Sequence, residues 1–252
     1  MSDLTGHVAL ITGGNGGIGL GMATGLANAG ADVAIWGTKP DKNEAASEVL
    51  AKTGRRVHAE LCDVSDEDQV IASFARTVDA LGKVDSVFAN AGTGGRIPSV
   101  TELSLADWRR VLAVNLDGAF LTLREGARHM VERGEGGALV AVASTSAIHG
   151  APFNPHYAAS KTGLLGLVRA LAVGLARYRI RANCLLPGWT DTDLMAPNKE
   201  NPKFVTNTIS RTPVRRWADP SEFGEVAVFL ADPSLTFHTG DTMVVDGGYT
   251  IF

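Results

Sequence analysis

Tyr157 and Lys161 stand four residues apart in the run Asn154-Pro155-His156-Tyr157-Ala158-Ala159-Ser160-Lys161. On a helix that spacing puts both side chains on one face, one turn apart. A cation beside a phenol favours the phenolate, so Tyr157 is expected to titrate below an ordinary tyrosine. Such a group can give or take a proton near neutral pH. Ser144 ends an apolar run thirteen residues earlier. A hydroxyl there could bond a substrate carbonyl and orient it toward the phenol. Thr145 and Ser146 compete on spacing alone, and turn formation is the plainer use of a serine after a strand. Asn115 falls inside a helical pattern, where asparagine is a poor helix former. It could bond a water or distort the helix near the site, and it could equally be a surface residue.

A place for an anion lies near the start of the chain. His7–Thr12 reads as a buried strand, followed by Gly13-Gly14-Asn15-Gly16-Gly17-Ile18-Gly19 and then a helix from Leu20 to Ala29. A strand, a glycine turn and a helix N-terminus present backbone N–H groups and the positive end of a helix dipole to a phosphate. The loop fits Gly14-x-Gly16-x-x-Gly19 and also Thr12-Gly13-x-x-x-Gly17-x-Gly19. In that strand-to-helix context the pattern points to a dinucleotide. The second strand closes on Trp36-Gly37-Thr38-Lys39. A carboxylate at that point would bind a ribose 2′-hydroxyl and favour NAD, and a basic residue would favour NADP. No acid stands there, and Thr38 and Lys39 could donate to a 2′-phosphate, so NADP is favoured slightly over NAD. Asp63 could bond the adenine edge, with Val64 beside it, or could cap the following helix.

These groups need elements to position them. Strands are expected at 32–36, 56–62, 84–88, 138–143, 180–185 and 242–245, with helices at about 42–52, 66–81, 104–132, 157–177 and 220–231. The segment 187–218 is expected to be irregular and to carry substrate choice, since long loops in compact domains are usually functional. Strands alternating with helices imply a parallel sheet covered on both faces. Ligands in such sheets bind beyond the carboxyl ends of the strands where strand order reverses. The glycine loop, Asn90 and Ser144 all follow strands, so they are expected to share one crevice. His149, Asn154 and Trp189, with Ser144, Ser146 and Tyr157, are candidates for contact with substrate. Phe153, His156 and Met195 could complete its wall.

The chain has 252 residues, within reach of one α/β domain spanning 1–252. A net charge of −4 without a basic run argues against a nucleic-acid partner. Cys62 and Cys184 fall in or beside buried strands and are expected to be core thiols. With no signal segment and no unbroken apolar span noted, a cytoplasmic protein with no membrane partner is expected. No metal-ligand spacing was found.

Taken in order, Thr12-Gly13-x-x-x-Gly17-Ile18-Gly19, Asn90-Ala91-Gly92, Asn115, Ser144, Tyr157-x-x-x-Lys161, Pro187-Gly188 and Asp246-Gly247-Gly248 resemble the short-chain dehydrogenase/reductases in their single-domain branch. The resemblance covers essentially the whole chain. It implies an α/β three-layer Rossmann fold, doubly wound, with a parallel seven-stranded sheet in the order 3-2-1-4-5-6-7. It also implies an NAD(P)-dependent reaction between an alcohol and a carbonyl. Tyr157 would be the general acid/base, and Lys161 would hold the nicotinamide ribose and lower the Tyr157 pKa. Ser144 would polarise the carbonyl and Asn115 would hold a water in a proton relay. Gly13, Asn15, Gly17, Ile18, Gly19, Asn90, Ala91 and Gly92 would line the cofactor. Pro187, Gly188, Thr190 and Thr192 would border its nicotinamide end. A homo-oligomer, tetramer or dimer, is implied, with the outer faces of the 104–132 and 157–177 helices and the C-terminal Tyr249–Phe252 as contacts.

Three departures stand out. Ala89 replaces the first asparagine of the usual Asn-Asn-Ala-Gly. Gly16 stands where many NADP-using relatives carry a basic residue, and Gly37 stands where NAD users carry an acid. The last two pull in opposite directions. Other readings are a catalytically silent dinucleotide sensor or scaffold, and an epimerase or dehydratase. The complete Ser144, Tyr157 and Lys161 set argues against the first, and the short stretch after Pro187 against the second.

Overall fold

The apolar runs pair into one parallel sheet. Its strands are β1 (Val8–Thr12), β2 (Asp32–Gly37), β3 (Val57–Leu61), β4 (Ser86–Ala89), β5 (Gly137–Val142), β6 (Ile180–Pro187) and β7 (Thr242–Val245). They lie side by side in the order 3-2-1-4-5-6-7, as expected. The computed structural model describes residues 2–252. β1, β2, β4 and β6 are buried along their whole length, while the edge strands β3 and β7 are partly exposed. Continuous apolar strands suit a sheet covered on both faces.

Neighbouring residues in each strand serve opposite cores, because side chains alternate across a sheet. Leu10, Trp36, Val87, Leu139 and Leu186 pack with Phe74, Met130, Leu164 and Val168. Those partners lie on α3 (Glu67–Leu81), α5 (Gly118–Arg133) and α6 (Pro155–Leu175). Ile11, Ile35, Phe88, Val140 and Leu185 pack with Met22, Leu26, Leu50, Phe223 and Leu230. This second layer is built from α1 (Gly17–Asn28), α2 (Pro40–Ala51) and α9 (Gly224–Ala231), the last preceded by a 3₁₀ turn at Pro220–Phe223. Strand order reverses between β1 and β4, and the crevice beyond their carboxyl ends holds the site. Both cysteines are buried free thiols, and burial pushes Cys184 up to about 12.

Two helices of the second layer meet at closer range than side chains allow. A Cβ on Gly25 would stand 2.4 Å from the Gly224 Cα, and one on Gly21 would stand 2.0 Å from the Pro220 carbonyl oxygen. Backbone cannot move aside as a flexible side chain can. Gly25→Ala is expected to lower unfolding free energy by about 1–3 kcal/mol, an overpacking effect, read as a lower midpoint in urea at unchanged slope.

The structure refines several sequence expectations. The helix expected over 104–132 runs without a break as α4 (Leu105–Leu112), a π turn at Ala113–Asp117 that contains Asn115, and α5. The 187–218 segment is not wholly irregular. It holds a 3₁₀ turn at Asp193–Met195, then α7 (Ala196–Lys199) and α8 (Pro202–Arg211), the last capped by Asn201. Asp63 does not cap α3. Asp66 does so by accepting the Gln69 N–H, while the Asp63 carboxylate accepts from the Ser65 N–H and hydroxyl. By length and composition alone the stretch Pro155–Tyr178 could cross a membrane, although Lys161, Arg169 and Arg177 interrupt its apolar run. α6 packs one side on the sheet, and its exposed side carries Thr162, Arg169 and Val173.

Candidate active site

The carboxyl ends of β1 and β4 are clipped together by Thr12 and Asn90. The Thr12 Oγ1 accepts the N–H groups of Asn90 and Ala91, each at 3.0 Å, and Asn90 Nδ2 donates back to the Thr12 carbonyl at 2.9 Å. These bonds place the glycine loop beside Asn90-Ala91-Gly92. Gly13 and Gly17 take φ of +64° and +49°, which favours glycine. A Cβ on Gly19 would lie 2.2 Å from the Gly13 carbonyl oxygen, so the first turn of α1 sits directly on the loop. Gly16 at the N-cap of α1 has no side-chain cap, and a Cβ there would meet nothing within 4 Å. An uncapped helix N-terminus facing open space above a glycine cradle fits a pyrophosphate.

The catalytic candidates converge across the crevice. α6 starts at Pro155, whose fixed φ and missing N–H suit the first helical position. One turn later it presents Tyr157, then Lys161. Lys161 is only 3% exposed, and its Nζ donates to the Val142 carbonyl at 2.8 Å. Burial pushes its pKa down to about 8, and no carboxylate is among the groups that act on it. Its Nζ lies 5.6 Å from the centroid of the Tyr157 ring. A Cβ on Gly92 would lie 3.4 Å from that Nζ and 3.5 Å from Asn115 Oδ1, so the three residues meet at one point.

The phenol does not behave as the four-residue spacing suggests. In the protein alone burial pushes the Tyr157 pKa up, opposed by a side-chain hydrogen bond from Ser144. Lys161 is not among the causes, and its ammonium is bonded to the Val142 carbonyl. Ser144 also caps the 3₁₀ turn Thr145–Ala147 by accepting the Ser146 N–H at 3.1 Å. The plain turn-forming use and the use toward the phenol therefore coexist. With one lone pair held by Ser146, the Ser144 O–H is left to point at the phenol. Asn115 is fully buried, and its π turn is the helix distortion that was expected. Its Oδ1 accepts the Thr93 N–H at 2.8 Å, and its Nδ2 donates to the Thr93 carbonyl and to Ser160 Oγ. That leaves one Oδ1 lone pair for a water.

The remaining candidates fall into two groups. Thr192 lies on the glycine loop, with its Cγ2 3.1 Å from where a Gly17 Cβ would be. Pro187 and Gly188 close β6, and the buried Thr190 donates to the Gly188 carbonyl. Thr38 and Lys39 lead into the N-terminus of α2, where Lys39 is the N-cap residue. Val64 is turned away, buried against the start of α5 at Gly118. On the substrate side, His149 Nε2, Asn154 Oδ1 and Trp189 Nε1 are buried polar atoms with no partner among the described residues. Asn154 lies beside Gly94 and Tyr157. His156 is instead packed under the helix at 1% exposure, near Arg110 and Gly95, and burial lowers its pKa.

Several site residues escaped sequence reasoning. The Trp189 ring contacts Phe204, Trp217 and Tyr249 at centroid distances of 5.2, 6.3 and 6.0 Å, and Tyr249 meets His149 at 5.7 Å. The signal was that two of the four tryptophans fall within residues 187–218. Asn43 bonds Asn15 at 2.7 Å from α2, and nothing in its spacing announces it.

Comparison with known proteins agrees with this geometry. Residues 13–250 match a family model described as enoyl-(acyl carrier protein) reductase. A cis-4-hydroxycyclohexanecarboxylate dehydrogenase of Sinomonas cyclohexanicum is 37% identical over 97% of this chain and 96% of its own. The crystal structure of a short-chain type dehydrogenase/reductase from Mycobacterium marinum superposes with a TM-score of 0.94 at 33% identity, covering 98% of this chain and 97% of that one. A gluconate 5-dehydrogenase from Burkholderia cenocepacia, in complex with NADP and tartrate, gives a TM-score of 0.93 at 34% identity, covering 99% and 97%. An uncapped glycine-loop helix, a buried lysine beside a tyrosine and this breadth of likeness lead to one statement: the chain belongs to the short-chain dehydrogenase/reductase family.

Proposed function

We propose that this chain is an NAD(P)-dependent oxidoreductase interconverting a secondary alcohol and a ketone, with Tyr157 as general acid/base. The observation that carries the reading is Lys161, an ammonium 3% exposed with no carboxylate acting on it. A buried unpaired cation is destabilising, and an apolar side chain of similar volume would pack without that penalty. Its presence next to a phenol in a crevice marks a working site.

When bound, the dinucleotide supplies or receives the hydride at the carbonyl carbon. Every other step belongs to this chain. In reduction, Tyr157 donates its phenolic proton to the carbonyl oxygen, and its raised pKa keeps that proton in place at neutral pH. Ser144 turns its O–H from the phenol to the same oxygen and stabilises the developing charge. Lys161 keeps its ammonium on the Val142 carbonyl beside the Tyr157 ring and would offer its remaining N–H groups to a ribose. Asn115 fixes the Thr93 backbone and so the loop after β4. In oxidation the proton travels the other way. Gly17, Ile18 and Gly19 offer their N–H groups to the pyrophosphate, and Asn90 borders the ribose. Thr38 and Lys39, with no acid at the end of β2, favour NADP.

The ring wall of Trp189, Tyr249 and His149 suits a compact substrate with a flat or cyclic face. Relatives named for a hydroxycyclohexane carboxylate and for gluconate support a small hydroxylated substrate. The exposed Val173 on α6 and the exposed Ile251 and Phe252 suit a homo-oligomer, which sedimentation would test.

The reading is tested by titrating NADPH and NADH separately, then following nicotinamide absorbance over a panel of sugar, steroid and cyclic ketones. Net oxidation of the reduced nucleotide is the expected result; cofactor binding without turnover across the panel would favour a silent module. Ser144→Ala is expected to lower kcat about 10²–10³-fold, as for loss of one donor to a developing oxyanion. Its dissociation constants for the nucleotides should stay unchanged.

A further inference from the structure

The end of β2 is closed by a pair of asparagines that the reaction itself does not need. Asn43, on the inner face of α2, is 6% exposed. Its Nδ2 donates to the Glu60 carbonyl at 2.9 Å and to the Gly37 carbonyl at 3.3 Å. Backbone carbonyls only accept, so the amide nitrogen of Asn43 must face them. Its Oδ1 is thereby turned to Asn15, and Asn15 must answer with its own Nδ2, at 2.7 Å. Asn43 thus dictates both the position and the flip of the Asn15 carboxamide, which lies across Gly37. A Cβ on Gly37 would stand 2.1 Å from Asn15 Nδ2, 2.5 Å from Asn43 Oδ1 and 2.6 Å from Asn15 Cγ. No side chain of any kind fits at position 37 while this pair is made.

Position 37 is where an acid would have to stand to take a ribose 2′-hydroxyl and repel a 2′-phosphate. The charged side chains near it include Lys39 at the N-cap of α2, Lys42 and Asp41 in its first turn, and Asp193, which pairs with Lys42 and faces Lys39 from across the cleft. On neighbouring β3, Glu60 is paired with Arg76, and Asp63 follows the strand, so Lys39 is the cation next to the strand end. Resting on the dinucleotide reading above, we propose that Asn43, acting through Asn15, is a positioning residue for cofactor choice. The pair bars an acid from position 37 and leaves the 2′ position to Thr38, Lys39 and the N-terminus of α2, so the chain takes the 2′-phosphorylated nucleotide.

The lock predicts a non-additive result that simple charge placement does not. The measurement is the dissociation constant of NADPH and of NADH, with the thermal midpoint of each variant. Gly37→Asp alone is expected to weaken both nucleotides about tenfold or more, or to lower the midpoint, because the new side chain strikes the asparagine pair. Gly37→Asp with Asn43→Ala is expected to recover the midpoint and bind NADH at least about tenfold more tightly than NADPH, since it removes the 2.5 Å contact and leaves Asn15 free to swing away. Gly37→Asp with Asn15→Gly is expected to recover NADH binding in part, since Asn43 Oδ1 still lies against the new side chain. The ratio of the two constants is the deciding number, because general damage moves both together. A Gly37→Asp chain that switches to NADH unaided would overturn the proposal. So would rescue by neither second change, or rescue by Asn15→Gly alone. Failure of the native chain to bind either nucleotide would instead bring down the functional reading, and this proposal with it.

Discussion

Tyr157→Phe will lose turnover by about 10²–10⁴-fold while keeping its affinity for the dinucleotide. The substitution removes one oxygen and one proton and leaves the ring packed as before. The ring is half-buried at the cleft, beside Gly94 and Leu194. Without the phenol, no other group at the carbonyl oxygen has a proton to give at neutral pH, since Ser144 donates a hydrogen bond and not its proton. The glycine loop, Thr12 and Asn90 lie on other elements and keep their geometry. Steady-state turnover beside a nucleotide-binding titration separates the two effects. Turnover within a few-fold of the native chain would remove Tyr157 from the mechanism.

Lys161→Met is expected to lose turnover and gain thermal stability at neutral pH. The buried ammonium has one protein partner, the Val142 carbonyl, and no carboxylate. Methionine has a similar length and no charge to desolvate. The pH dependence of the gain follows from linkage. The lysine pKa falls from 10.5 in the unfolded chain to about 8 in the folded one. Between these values the unfolded chain binds more protons, so native stability rises with pH. Below about pH 8 the penalty is fully present, and above about 10.5 it is gone. The stability difference between variant and native chain should therefore be largest below pH 8 and shrink through that window. Melting midpoints across that range, beside turnover at neutral pH, check both halves. A variant less stable than the native chain at neutral pH would show that Lys161 is structural.

His7 offers an internal control for such arguments. Its pKa is pushed down to about 4 by burial, and it bonds Ser86 at the opposite end of the sheet from the site. Its protonation lowers native stability as pH falls from 6.5 toward 4, with no link to the nucleotide cleft.

Much was legible in the sequence because it is local or periodic. Apolar runs ending at glycines gave the strands, and alternation with helices gave the parallel sheet and the crevice. The glycine loop, Ser144, Tyr157 and Lys161 could be named because each is a residue type at a fixed spacing from an element end. The limits lay where a side chain answers to a distant backbone. Asn115 marks a π turn only because its amide is committed to Thr93, 22 residues away. The Tyr157 pKa rises because the fold buries the phenol at the cleft. Gly37 is bare because Asn43 folds back over it from α2.

The sequence by itself thus determined the layer order, the anion cradle and the tyrosine–lysine pair, since these follow from covalent spacing and backbone geometry. The tertiary structure alone decided how charged the phenol and the ammonium are, which rings wall the substrate, and what may stand at the end of β2. Those depend on burial and on hydrogen bonds between elements far apart in the chain, and no spacing rule carries that information.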